Sequence, residues 1–312
     1  MIHETFGTRE TAWCPGCGNF SILDCLRKAL EASGRSPHEI LIVAGIGQAA
    51  KTPQYVTANA FCGLHGRALP PATAAKIANA SLTVVVDTGD GDSYGEGGNH
   101  FIHTIRRNID ITHFVHDNRI YGLTKGQASP TTAEGQVTDV QVAGSLNLPF
   151  NPMLIALAAG AGFVARGFTG DRDLLVELMK QAIAYPGYAL VDILQPCVSF
   201  NKVNTHADYA RRVYRLGDGH DPTDRLAAMA KAMEFGEKIP LGVLYRVERP
   251  TYHDRQPVLA GKGIDIGVAD SRASRKADSR ANQPAQAGRP NQPLLDRPLD
   301  RGKIAGFVRE FV

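Results

Sequence analysis

Residues 82–101 read LTVVVDTGDGDSYGEGGNHF and residues 116–127 read HDNRIYGLTKGQ, and these two stretches decide how the chain folds. The run 82–87 is β-branched and apolar almost throughout, too apolar for a sheet with one wet face. Similar short runs stand at 40–44, 111–116 and 189–194. Helix-length stretches lie between them at 70–80, 97–107, 152–160 and 171–184, and Ile22, Leu26 and Leu30 recur at helical spacing within 21–30. Buried strands alternating with helices predict an α/β fold, a parallel sheet with helices on both faces. Ligands of such sheets bind beyond the carboxyl ends of the strands, which puts the chemistry in the loops after 87 and 116.

Those loops hold Gly89-Asp90-Gly91 and, after the next strand, Asn118. A carboxylate and an amide at two strand ends suit a hard cation. Magnesium takes about six oxygens and keeps phosphate oxygens and water among them, so Asp90, the Asn118 side chain and the Ile120 carbonyl can hold one that grips a diphosphate. The glycines let backbone N–H groups approach phosphates, and the helix start after Gly95 adds a favourable dipole. A second Gly-Asp-Gly at 217–219 has no Asn following at a comparable distance and reads as a turn. The loop Gly45-Ile46-Gly47-Gln48-Ala49-Ala50 imitates a dinucleotide-binding turn, but no acidic residue follows between Lys51 and Val86 to bind a ribose. It reads better as part of the same diphosphate site, with Gly47 against the cofactor.

The 312 residues carry 34 basic and 31 acidic side chains, a net charge of +3 without the concentrated basic excess of a nucleic-acid footprint. No run of 18 apolar residues and no apolar leader is present, so no membrane is expected as a partner and a soluble, cytoplasmic protein is. Residues 1–252 read as the α/β domain. Residues 253–312 are dominated by Gly, Pro, Ala, Gln, Ser, Asp and Arg, a composition expected to form a flexible tail, with the apolar spacing of KIAGFVREFV allowing a short terminal helix.

Five cysteines in such a chain argue for metal or redox chemistry rather than disulfides. Cys14-Pro15-Gly16-Cys17 lacks the second CxxC of a zinc ribbon and the preceding strand of a redox dithiol. Cys197 follows the strand 189–194, at a sheet end where it can converge with the other two. Cys25 lies among apolar helix positions and reads as core. His100 and His103 on a helix and His113 and His116 on a strand invite a zinc reading, but strand residues three apart point to opposite faces, which leaves packing and hydrogen bonding.

Gly89-Asp90-Gly91 closing on Asn118 resembles the thiamine diphosphate motif. With WCPGCGNF (13–20), GLHGRALP (63–70), GGNHFIHTIRRN (97–108) and YGLTKGQASPT (121–131), the chain is similar to the β subunits of 2-oxoacid:ferredoxin oxidoreductases, from about Trp13 to Tyr252. The resemblance implies a thiamine diphosphate-binding fold, a partner α subunit, ferredoxin, coenzyme A and a [4Fe-4S] cluster. It implies reversible oxidative decarboxylation of a 2-oxoacid, the reverse direction fixing CO₂. It makes Asp90, Asn118 and Ile120 magnesium ligands, Asp92 a support of the loop and His65 a neighbour of the cofactor. Cys14, Cys17 and Cys197 match cluster ligands, whereas the place of the fourth holds Gln48. An amide is a poor match for iron, so Cys62, three residues before His65, is expected to supply the fourth thiolate, with a noncysteine ligand, water, or absence of the cluster as alternatives. Lys51 can pair with a second substrate carboxylate and favour 2-oxoglutarate, and Arg67 can meet the diphosphate or an interface acid. The pyrimidine-activating carboxylate is implied to lie on the α subunit, so this chain alone is expected to be inactive. The competing functions are a cluster-free, cofactor-binding assembly subunit and a nonoxidative decarboxylase.

Overall fold

The computed structural model describes residues 5–7, 9–257 and 259. Eight strands, β1 (Ile40–Ala44), β2 (Asn59–Cys62), β3 (Thr83–Gly89), β4 (Thr112–Asp117), β5 (Phe163–Phe168), β6 (Ala189–Leu194), β7 (Val213–Arg215) and β8 (Ile239–Arg246), form one sheet in the order β2-β1-β3-β4-β6-β5-β8-β7. All neighbours run parallel except β5 and β8. The helices are α1 (Asn19–Ala32), α2 (Leu69–Ala78), α3 (Gly98–Arg107), α4 (Pro152–Ala158), α5 (Arg172–Ala184), α6 (His206–Arg212), α7 (Arg225–Met233) and α8 (Tyr252–Arg255).

The α/β fold with both sheet faces covered is what the four apolar runs predict. Successive strand side chains leave on opposite faces. Val85, Phe114, Val191 and Ile193 therefore meet Ile22, Leu26, Leu30, Leu175 and Met179 from α1 and α5. Val84, Val86, Val115 and Leu190 turn the other way onto Leu69, Phe101, Ile105, Met153 and Ala228 from α2, α3, α4 and α7. Cys25 is buried in the first of these layers, as its place among apolar helix positions implies. Strands β2, β5, β7 and β8 escape a reading by apolar runs. β5 carries the buried Arg166 and β8 carries Pro240 and Gly242, while β2 is exposed along its length at the sheet edge.

α8 carries the helical chain past residue 252: His253 is buried, with Nε2 3.0 Å from the Lys76 carbonyl. The flexible tail expected over 253–312, and the helix expected at its end, lie outside the described residues beyond this start. No helix among the described residues is long and apolar enough to cross a membrane.

Candidate functional site

β3 ends at Gly89 and the chain passes straight into a turn of wide π-helix, Gly91–Glu96, before α3 begins. Wide turns of this kind are rare and cluster at functional sites. This one is held open by glycine. A Cβ on Gly91 would strike the Tyr121 ring, and one on Gly95 would lie 2.7 Å from the Tyr121 hydroxyl. The loop after β3 and the loop after β4 thus pack directly on one another.

Asp90, 2% exposed, sits at the head of this turn. Thr131 Oγ1 lies 2.7 Å from Asp90 Oδ2 and 2.7 Å from Asp117 Oδ1. A hydroxyl carries one hydrogen, so the second short contact needs a proton from one of the acids. Burial and the neighbouring Asp117 accordingly push the Asp90 carboxyl up to about 7, and burial also raises Asp117. A divalent cation would displace that proton. After β4, the Asn118 side-chain oxygen accepts from the Ile120 N–H at 3.0 Å, and Arg119 between them adopts the left-handed conformation. Asn201 Nδ2 donates to the Asn118 carbonyl at 3.0 Å.

Among the described residues, no three of His, Cys, Asp and Glu gather to hold an ion by themselves. A site of one carboxylate, one amide and one carbonyl needs its shell completed by oxygens of a phosphate ligand, and Cys14, Cys17 and Cys197 line one cavity without closing into a ready-made metal site. Asp90, Asn118 and Ile120 fit such a cation by type: a buried carboxyl whose proton a cation would displace, and two neutral oxygens in the loop packed against it.

Asp92, next along the turn, ties two further loops to it. Its Oδ1 accepts from the Ile46 N–H at 3.0 Å and the Gly66 N–H at 2.8 Å, and burial raises its carboxyl above the usual range. Gly45 has to be glycine because a Cβ would collide with the Asp92 carboxylate. His65, exposed, places Nδ1 2.9 Å from Glu96 Oε2, and Arg67 donates to His100 Nε2 at 2.8 Å. Gly47 takes φ +120° with open space before it. Lys51 is half-buried in the 3₁₀ turn Ala49–Gln54 and makes no ion pair among the described residues.

On the other side of Asn118 lies a small cavity lined by Cys14, Cys17 and Cys197 together with Trp13, Gln48, Gln195 and Asn118 itself. The three thiols come from the chain before α1 and from the loop after β6. Cys17 N donates to the Cys14 carbonyl at 3.0 Å, closing a turn that Gly16 permits at φ +80°. Gln195 Nε2 lies 3.3 Å from Cys17 Sγ, and the Phe200 N–H lies 3.5 Å from Cys197 Sγ. Burial pushes the Cys17 thiol up to about 11, with Cys197 and Cys14 adding to the rise. Donors aimed at two sulfurs, and thiols that disfavour one another's charge, suit a soft cationic group whose irons each take one thiolate.

Cys62 does not join them. It closes β2 in register with Ala44, exposed, on the edge strand. It is not among the residues that line the thiol cavity, whereas Gln48, in the loop after the neighbouring β1, is. The expectation that nearness to His65 in sequence brings this thiol to the other three thus finds no support in the cavity's lining. The histidines resolve as packing and hydrogen-bonding residues. His113, between the Thr88 and Ser93 hydroxyls and Tyr188, is held neutral by burial, and His116, on the opposite face, bridges Asn19 and Asp87. Asp117, Thr131, Gln195 and Asn201 were not singled out in the sequence. Thr131 enters there only as the end of the YGLTKGQASPT stretch.

The chain matches the model of the C-terminal thiamine pyrophosphate-binding domain of thiamine pyrophosphate enzymes over residues 41–193. Residues 197–261 match the model of the C-terminal part of the β chain of pyruvate ferredoxin oxidoreductase. The chain is 45% identical over 244 residues to the β subunit of 2-oxoacid:ferredoxin oxidoreductase 2 of Aeropyrum pernix, covering 75% of this chain and 79% of that one. It is 47% identical over 193 residues to the 2-oxoglutarate oxidoreductase subunit KorB of Mycobacterium tuberculosis, covering 62% and 52%. Among solved structures, it is similar to the 2-oxoglutarate:ferredoxin oxidoreductase from Magnetococcus marinus with 2-oxoglutarate, coenzyme A and succinyl-CoA bound. That likeness has a TM-score of 0.79 and 38% identity over 81% of this chain and 87% of the other.

Proposed function

The chain belongs to the β subunits of the 2-oxoacid:ferredoxin oxidoreductases, and we propose how its residues divide the work. Asp90, Asn118 and the Ile120 carbonyl hold Mg²⁺, which grips the diphosphate of thiamine diphosphate. Gly89, Gly91 and Gly47 leave room for it, and Asp92 holds the surrounding loops. Cys14, Cys17 and Cys197 hold a [4Fe-4S] cluster that passes electrons to ferredoxin. An α-type partner chain completes the site, and coenzyme A takes the acyl group. The unit that does this is the α/β domain expected over residues 1–252, extended by α8 to Arg255, with His253 packed on Lys76.

The observation that carries this reading is the double role of Asn118: its side chain stands in the cation loop while the residue lines the thiol cavity. A group reduced at one is adjacent to an acceptor at the other. Bound thiamine diphosphate supplies the electron sink for cleaving the bond between C1 and C2 of the 2-oxoacid. The protein's part is to orient that cofactor through the cation, to keep His65 on Glu96 beside it, and to position the substrate.

Substrate choice falls to Lys51 in this reading. An ammonium ~4 Å from a second carboxylate gains ~4 kcal/mol at an effective dielectric near ~20 before desolvation, enough to favour 2-oxoglutarate over pyruvate. In the complex purified with its α subunit, ferredoxin reduction that depends on coenzyme A is expected with 2-oxoglutarate. The Lys51→Met complex should lose ~10–100-fold in kcat/KM for 2-oxoglutarate, ~1.4–2.8 kcal/mol, with little change for pyruvate. Equal losses for both substrates would show that Lys51 has no selective contact.

A further inference from the structure

We propose that the side-chain oxygen of Gln48 is the fourth ligand of the cluster, so that three thiolates and one amide hold it and one iron is exchangeable. The inference rests on the cluster reading above. Gln48 lines the cavity shared by Cys14, Cys17 and Cys197, and its Oε1 is buried without any hydrogen-bond partner. A buried amide oxygen left unpaired costs ~1–3 kcal/mol, and such orphans in a folded protein mark an ion or water that belongs there.

The residue is not free to turn away. Its carbonyl accepts from the Trp13 indole at 2.8 Å, Gly47 before it makes the left-handed turn, and Asp92 anchors Ile46 one residue earlier. Trp13 is adjacent to Cys14, so the same hydrogen bond fixes Gln48 relative to the thiols. Gln195 already directs its amide nitrogen at Cys17 Sγ. Cys62, the soft alternative, closes the exposed edge strand and does not line the cavity. Softness alone argues against an amide on iron, but position puts the Gln48 side chain on the cavity wall with a buried oxygen that has no hydrogen-bond partner.

A neutral, hard oxygen holds iron less firmly than thiolate does. Oxidation by a one-electron oxidant such as ferricyanide takes one electron from the [4Fe-4S]²⁺ core. The resulting [4Fe-4S]³⁺ core releases Fe²⁺ and leaves [3Fe-4S]⁺, with ferrocyanide as the reduced product. The neutral ligand also makes the whole cluster one charge less negative than four thiolates would, and so easier to reduce.

The test is ferricyanide titration of the anaerobically purified complex with its α subunit, read by iron content and by the paramagnetic signal of the three-iron form. Native complex is expected to release one iron per cluster. Gln48→Cys should retain it and lower the cluster potential, Gln48→Glu should keep an oxygen ligand, now charged, and hold the iron more firmly than native, and Gln48→Ala should release iron about tenfold faster, equivalent to ~1.4 kcal/mol of ligand binding. Cys62→Ser should titrate like native. Unchanged thiamine diphosphate binding in each variant reports that the fold is kept. Native-like titration of both Gln48→Ala and Gln48→Cys, or a Cys62→Ser complex that is already short of iron before ferricyanide is added, would overturn the assignment. Iron absent from the native complex, or unaltered in Cys197→Ser, would instead remove the cluster reading on which it stands.

Discussion

Replacing Asp90 by alanine is expected to weaken binding of thiamine diphosphate with Mg²⁺ by more than ~100-fold, because even residues that only support a metal ligand are worth ~10–100-fold. The loss removes the single carboxylate of the donor set and leaves two neutral oxygens, which cannot hold a cation against water. Isothermal titration of the purified complex with the cofactor, at fixed Mg²⁺, measures it directly. A dissociation constant within a few-fold of the native value would end the assignment.

The same residue makes the binding depend on pH with a definite sign. Asp90 is pushed up to about 7 by burial and by Asp117, and a cation binds the carboxylate and not the acid. Affinity for Mg²⁺ and cofactor should therefore fall by up to about tenfold per pH unit below about pH 7 and level off above it, with a proton released on binding. Stability of the metal-free protein runs the other way. A carboxyl whose folded pKa is raised binds its proton more tightly folded than unfolded. Its contribution is present below the ordinary carboxylate range and is lost as pH rises through about 7. The stability of native protein relative to Asp90→Asn should accordingly decline between about pH 5 and about pH 7 without metal, and recover when Mg²⁺ and cofactor are added. A flat difference across that interval would show that Asp90 is ionised throughout.

The second large effect belongs to Gly66. It takes φ +64°, and a Cβ there would run into the main chain of Glu96 and lie 2.5 Å from Gly97 N. Backbone cannot swing aside as a side chain can. The loop would have to move, and with it the Gly66 N–H that Asp92 accepts at 2.8 Å and His65 beside it. Gly66→Ala is expected to cost ~3 kcal/mol or more, combining left-handed strain of ~1 kcal/mol with steric displacement and a weakened buried hydrogen bond. For a chain of this size that corresponds to a fall of roughly 6–12 °C in Tm. Cofactor affinity should drop with it, since Asp92 lies two residues from Asp90. Gly98 is the control: it stands at the start of α3 with nothing within 4 Å of a Cβ. Gly98→Ala should be neutral or stabilising by up to ~1 kcal/mol. Equal melting temperatures for the two variants would mean that the Gly66 loop yields without cost.

The layered α/β fold is legible in the amino-acid sequence, because four runs such as LTVVVD are too apolar to face water on either side and so require helices over both. The chemistry of the loops is legible there too. Gly89-Asp90-Gly91 and Asn118 are local patterns at strand ends, and their residue types state what they can bind before any contact is known. The short strands escaped because what makes them strands is not local: β8 pairs antiparallel with β5 despite Pro240 and Gly242, and β7 adds to its far side.

Which loops meet is settled by the assembled fold alone. Strand order is set by packing between segments far apart in the chain, and it brings 13–17, 48 and 195–200 to one cavity while holding β2 at the edge. Gln48 therefore lines the thiol cavity, and Cys62, nearer to His65 in sequence, does not. Asp117 and Thr131 likewise acquire their role only when the loops after β3 and β4 close on each other and bury two carboxyls around one hydroxyl. Proton sharing of that kind depends on burial and sub-ångström placement, which are properties of the assembled sheet end and of no single segment.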